Sequence, residues 1–322
     1  MRFLITVLLV VLGVLPPTAP PAQAQDAYPS KAVRLVVPLP SGGPTDFLAR
    51  MVAQHLSRSL GQPVVVDNKP GADGAIGARE VMSAPADGYT LLFTPGSVLA
   101  APLQARPPAF DWLSEFAPIG KAGRLSFCLV VHPDLPVRTV AELVAYARAN
   151  PDKLSFSTAT LSELMAASLF MKATDTRMVR VPYKGGAQAM PDLLAGRIQV
   201  MFGPVTLVQP HVRSGALRVL ATLLPERSGA LPDVPTIAEA GVAGVSVPTW
   251  QSVFAPAKTP RPVVDRLAGE LAAVMSKPEV RAELERRAML PETDSPQALA
   301  MTVAQEQAAW TRLITEYKLG AQ

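Results

Sequence analysis

Short apolar runs alternate with amphipathic stretches along almost the whole chain, and that alternation restricts the fold more than any single motif. Val33-Arg34-Leu35-Val36-Val37 reads as a buried strand and Ser41-Gly42-Gly43-Pro44-Thr45-Asp46 as a turn. Residues 47–60 carry apolar side chains at Phe47, Leu48, Met51, Val52 and Leu56, which is helical spacing. Gly61 ends that helix. Residues 64–66 form the next strand. The glycine turn from Gly71 to Gly77 opens another helix, and Asp87-Gly88 precedes a strand over 89–94. This rhythm predicts an α/β fold with a largely parallel sheet.

The rhythm restarts after about residue 125. Strands are expected over 126–131, 154–158, 178–182, 198–202 and 216–222, with helices over 139–149, 161–173 and 187–195. Val253-Phe254-Ala255-Pro256 resumes it after a stretch rich in proline and glycine, and amphipathic helices over 262–276 and 295–317 close the chain. Two α/β units predict two lobes, with the chain crossing between them near 125 and again near 248. Ligands in such folds sit at the carboxyl ends of strands, facing helix starts.

The amino terminus adds a compartment. Met1-Arg2 is a short positive start, residues 3–15 are almost unbroken apolar, and Ala22-Gln23-Ala24 is a small-x-small site. The apolar run is too short to span a bilayer comfortably. Together these predict a secretory signal peptide over 1–24, cleaved after Ala24, and a soluble, periplasmic product. No Cys follows the apolar run, so no lipid anchor on an amino-terminal Cys is expected.

Charge and chemistry narrow the function. The net charge of +4 is spread among interleaved acids and bases, as in residues 281–287, and forms no nucleic-acid footprint. Cys128, the only cysteine, lies in the apolar run Phe127-Cys128-Leu129-Val130-Val131 and reads as a buried small hydrophobe. His55, His132 and His211 are far apart and make no metal-ligand pair. There is no Gly-x-Ser-x-Gly elbow, no His-Glu-x-x-His and no P-loop. Gly71, Gly74 and Gly77 lack the dinucleotide spacing. No catalytic residue, metal or cofactor is therefore expected. What remains is two turns rich in backbone amides, 41–46 and 94–97, each following a strand; the first also opens a helix, where unpaired amides favour anions.

Several blocks, in order, carry a family resemblance. They include Tyr28-Pro29-Ser30-Lys31, Gly42-Gly43-Pro44-Thr45-Asp46, Leu60-Gly61-Gln62-Pro63, Asn68-Lys69-Pro70-Gly71-Ala72 and Pro85-Ala86-Asp87-Gly88-Tyr89-Thr90-Leu91-Leu92. Later come Val181-Pro182-Tyr183-Lys184-Gly185, Leu231-Pro232-Asp233-Val234-Pro235-Thr236, Trp250 and Phe254-Ala255-Pro256. The chain resembles the Bug-type extracytoplasmic solute-binding receptors of tripartite tricarboxylate transporters across essentially its whole length after residue 24.

The resemblance implies a two-lobed periplasmic-binding-protein (Venus flytrap) fold with a hinge and an interlobe ligand cleft, and no enzyme activity. Lobe one would comprise 25–125 plus 249–322 and lobe two 126–248. A monomer is expected, with a small carboxylate-bearing metabolite and the membrane components of the transporter as partners. Ser41, Gly42, Gly43, Thr45 and Asp46 would hold a carboxylate through backbone amides and water, with Thr94, Gly96 and Ser97 beside them. Thr158, Thr160, Ser162, Glu163, Tyr183 and Gly203 would meet the ligand from the second lobe.

Two departures from the family pattern bear on specificity. A Gly/Ser-rich turn ending Ser-Ser-His is replaced by Thr158-Ala159-Thr160-Leu161-Ser162-Glu163, and a common Asp by Gly203. Thr160-Leu161-Ser162-Glu163 has the form of a capping box. It predicts that Glu163 bonds back to the Thr160 amide and disfavours a second ligand carboxylate. A sensor subunit for a signalling partner and a secreted hydrolase are the other readings the sequence leaves open.

Overall fold

The computed structural model describes residues 28–104, 109–245, 247 and 249–317. The expected signal peptide and its cleavage after Ala24 lie outside the described residues. In chain order the first unit is β1 (Val33–Val37), α1 (Pro44–Leu60), β2 (Val64–Asn68), α2 (Ala75–Met82), β3 (Thr90–Pro95), the short α3 (Trp112–Glu115) and β4 (Phe116–Leu125). The second is β5 (Phe127–Val131), α4 (Val140–Ala149), β6 (Ser155–Thr158), α5 (Leu161–Thr174), β7 (Val179–Pro182), α6 (Gly186–Leu194), β8 (Val200–Pro204), α7 (Val205–Arg213) and β9 (Arg218–Thr222). The chain then returns through β10 (Trp250–Pro256), α8 (Arg261–Ser276), α9 (Pro278–Arg286), β11 (Met289–Leu290) and α10 (Pro296–Tyr317).

The strands form a six-stranded sheet, β11-β4-β10-β3-β1-β2, and a five-stranded sheet, β7-β6-β8-β5-β9. β1 is buried along most of its length because helices cover both faces of its sheet, which is why it reads as a continuous apolar run. α1 begins with Pro44 at its first position and stops at Gly61, whose φ of 68° is left-handed. Its Leu48, Val52 and Leu56 pack on β1 and β3.

The sheets are mixed rather than largely parallel. β2-β1-β3 and β7-β6-β8 are parallel runs, each step fed by a crossover helix. β10 inserts antiparallel between β3 and β4, and β5 antiparallel between β8 and β9. Each of these two strands arrives from the other sheet, without a crossover helix, and so runs against its neighbours. β4 was not visible in the alternation because Pro118, Gly120, Lys121, Gly123 and Arg124 interrupt its apolar pattern, and two register shifts mark its pairing with β10. α7 carries Pro210 inside and follows Pro204, so its sequence reads as a loop.

Ser126 alone separates β4 from β5. The Leu125 amide donates to the Thr249 carbonyl at 3.0 Å, so the outgoing and returning connections are bonded to each other. A second interlobe contact is apolar: Leu161, Leu164 and Met165 of α5 share one buried cluster with Val98, Leu99 and Trp250. Cys128 is buried in β5, and burial pushes its thiol up to about 12.

Candidate functional site

A cavity opens where the two sheets face each other. Its first-lobe wall is the β1–α1 turn (Ser41, Gly43, Pro44, Thr45), Pro95 at the end of β3 with Ser97 just beyond it, and Thr249 and Gln251 at the start of β10. Its second-lobe wall is Thr160, Ser162 and Glu163 at the start of α5, Lys184 to Gln188 at the start of α6, and Pro204 and Leu207 at the start of α7. The cavity volume is about 90 Å³. At the rim the lobes nearly touch: a Cβ on Gly185 would lie 3.6 Å from Pro40 Cγ.

The first wall is built to donate. Gly43 caps α1 without any side-chain hydrogen bond, and the first helical bond is Phe47 N to Gly43 O at 3.0 Å. The amides of Thr45 and Asp46 fall in the first turn and have no intrahelical acceptor, and Pro44 before them has no N–H to compete. They lie at the positive end of a 17-residue helix. Asp46 turns away from the cavity to hold the turn. Its carboxylate accepts from the Gly42 amide at 3.0 Å and from Arg50 Nε at 3.0 Å. Burial raises its pKa, but the bonds from Arg50, Gly42 and Asn68 outweigh that and leave it below the ordinary value.

The second wall brings three helix starts together. α6 and α7 have no side-chain cap, whereas α5 is capped from within. Thr160 Oγ1 accepts from the Glu163 amide at 3.3 Å, and Glu163 Oε2 accepts from the Ala159 amide at 2.6 Å. Burial pushes the Glu163 carboxyl up to about 7, against the opposing bonds from Ala159 and Thr160. Glu163 and Lys184 are the only charged side chains among the described residues lining the cavity.

Of the residues the sequence placed at the ligand, Ser41, Gly43, Thr45, Ser97, Thr160, Ser162 and Glu163 line the cavity. The others are not among the lining residues. Gly42 supplies a left-handed φ of 83°, and a Cβ on it would meet nothing within 4 Å. Thr94 is buried and donates to the Pro95 carbonyl at 3.3 Å. A Cβ on Gly96 would come within 2.6 Å of Trp250 Cε2, so this glycine lets the turn lie on the indole. Thr158 Oγ1 accepts from Arg180 Nε at 2.9 Å, and Tyr183 donates its hydroxyl to Asp192 at 2.7 Å. Gly203 lies within β8, opposite Cys128.

Gln251, Thr249, Phe127 and residues 184–188 line the cavity without having been singled out from sequence as ligand contacts. Gly185-Gly186 after a strand and before a helix repeats the pattern of Gly42-Gly43, and that repetition was a usable signal. Gln251 carried none, because only the insertion of β10 between β3 and β4 brings it there. His55 lies on α1 and His132 beside the Gly196 turn, both away from the cavity. Among the described residues no group of His, Cys, Asp and Glu could hold a metal ion, and no helix is long and apolar enough to cross a membrane.

Comparison with known proteins places this geometry in context. Residues 48–319 match the model of the tripartite tricarboxylate transporter family receptor. The chain is 33% identical to protein BugT of Bordetella pertussis over 317 residues, 97% of each chain. An R. palustris protein solved with adipate is similar at TM-score 0.85 and 35% identity, covering 89% of this chain and 97% of that one. MatC from Rhodopseudomonas palustris with bound malate is similar at TM-score 0.83 and 28% identity, covering 89% and 100%.

Proposed function

The chain belongs to the tripartite tricarboxylate transporter receptor family, and on that footing we propose that it captures a small carboxylate-bearing metabolite between its two lobes and delivers it to the membrane components of such a transporter. The observation that carries this reading is the uncapped start of α1 on the cavity wall, where amides without intrahelical acceptors meet the positive end of a long helix. The cavity, at about 90 Å³, suits a small metabolite. The adipate and malate of the two Rhodopseudomonas palustris structures are compounds of this kind.

In this reading lobe one is 25–125 with 249–322, lobe two is 126–248, and the bonded connections at Leu125 and Thr249 are the hinge. The protein works as a periplasmic monomer, after cleavage behind Ala24, by binding rather than by catalysis. Titration calorimetry of the purified protein against short mono- and dicarboxylates is the test. One-to-one binding is expected, with the ligand recovered unchanged. A ligand at about 100 times its Kd adds roughly 2.7 kcal/mol of stability. No heat and no melting shift across the series would overturn the proposal.

A further inference from the structure

The two walls of the cavity differ in chemistry. The α1 start offers donors. The opposite wall has Lys184 and the uncapped starts of α6 and α7, and among them one buried acceptor, Glu163. Glu163 is 3% exposed and lines the cavity, with Oε2 held by the Ala159 amide. Its Oε1 lies toward the start of α6, where a Cβ on Gly186 would be 3.9 Å away. Gly185 caps α6 without a side-chain bond, so the carboxyl of Glu163 sits beside an otherwise uncapped helix start. Such a place favours one negative group. The protein supplies that group itself.

Gln251 adds a second acceptor. It is 0% exposed and lines the same cavity. Its Nε2 donates to the Thr249 carbonyl at 3.3 Å, which sets the orientation of the amide. Its Oε1 is buried and has no hydrogen-bond partner among the described residues. A buried acceptor of this kind calls for a donor, and a ligand spanning so small a cavity can bring one.

We infer that Glu163 is a specificity-determining residue that stands in for the second carboxylate of a linear diacid, so that the receptor selects a monocarboxylate whose far end is a neutral or cationic hydrogen-bond donor. The inference rests on the reading of the cavity as a carboxylate site. The ligand's carboxylate binds the α1 start, and its far amide, hydroxyl or ammonium donates to Glu163 on the opposite wall. A diacid of the same length brings two carboxylates to a cavity that already holds one. Ionised, Glu163 repels the second from a buried position, whereas Lys184, the other charge on that wall, is exposed to solvent and screened.

The test is calorimetric titration at about pH 8, above the Glu163 value of about 7. The probes are succinate, glutarate and adipate, each paired with its monoamide, on wild type, Glu163→Gln and Glu163→Ser. Wild type is expected to bind the monoamide of at least one length about tenfold or more tighter than the diacid, equivalent to about 1.4 kcal/mol. Glu163→Gln should shrink that ratio to about threefold or less. A wild type that binds the diacids as tightly as the monoamides overturns this inference and leaves the carboxylate reading standing, and it does so even if both variants fail to fold. An unchanged ratio in folded variants overturns it too. If no probe of either kind binds, both fall together.

Discussion

Raising the pH from about 5 to about 8 should weaken this fold, and Glu163 should account for a separable share of the loss. Its carboxyl titrates near 4.5 in the unfolded chain and near 7 in the folded one, because burial disfavours the charge. A folded value raised in this way means stability that is complete below about 4.5, falls as the unfolded chain ionises, and levels off once the folded carboxyl ionises above about 7. The difference corresponds to on the order of 3 kcal/mol. For a protein of this size class that is roughly 5–10 °C in Tm. Glu306 also lies near 7, raised first by burial and lowered less by the Trp250 hydrogen bond, and it acts in the same window with the same sign. His55, lowered by burial and by the Lys277 and Arg58 charges, pulls the other way. Carboxylates held below their ordinary values, such as Asp46 and Glu292, change state only at lower pH. Comparing wild type with Glu163→Gln cancels the shared contributions. Scanning calorimetry at about pH 5, 6, 7 and 8 should show the wild type losing several degrees more than the variant. Parallel curves, with a constant gap from pH 5 to 8, would refute the assignment.

Two further outcomes follow from the turns. Gly96→Ala drives a methyl against Trp250, which cannot retreat freely because its Nε1 is bonded to Glu306 at 2.7 Å; a loss of about 1–3 kcal/mol is expected in denaturant melts, and much of it should vanish when Trp250 is already Leu. Gly42→Ala meets no atom within 4 Å but must hold a φ of 83°, so it should cost about 1–2 kcal/mol through backbone strain alone, and a melt indistinguishable from wild type would show that the turn relaxes.

Much of the fold was legible because burial on both faces makes β1, β3 and β5 continuous apolar runs, and because Pro44 and Gly61 mark the ends of α1. The capping box was legible too, since it needs only the spacing of Thr160 and Glu163. Its return bond also takes in the Ala159 amide, one residue before the expected Thr160. What was hidden depended on distant partners. β4 is a strand only because β10 and β11 flank it, and its glycines and charges gave no alternation to read. Gln251 reaches the cavity through sheet order, which local pattern does not encode. Gly42 and Gly96 enter through the family resemblance and their place in turns; the structure adds a left-handed φ at the first and contact with an indole at the second.

The decisive observation is a crystal structure of the protein saturated with the tightest-binding carboxylate from the calorimetric series. One carboxylate should lie within hydrogen-bond distance of the Thr45 and Asp46 amides, with the body of the ligand between Gln251 and Glu163. A ligand bound outside the cavity between the two sheets, or held there with its carboxylate away from the start of α1, would contradict the assignment.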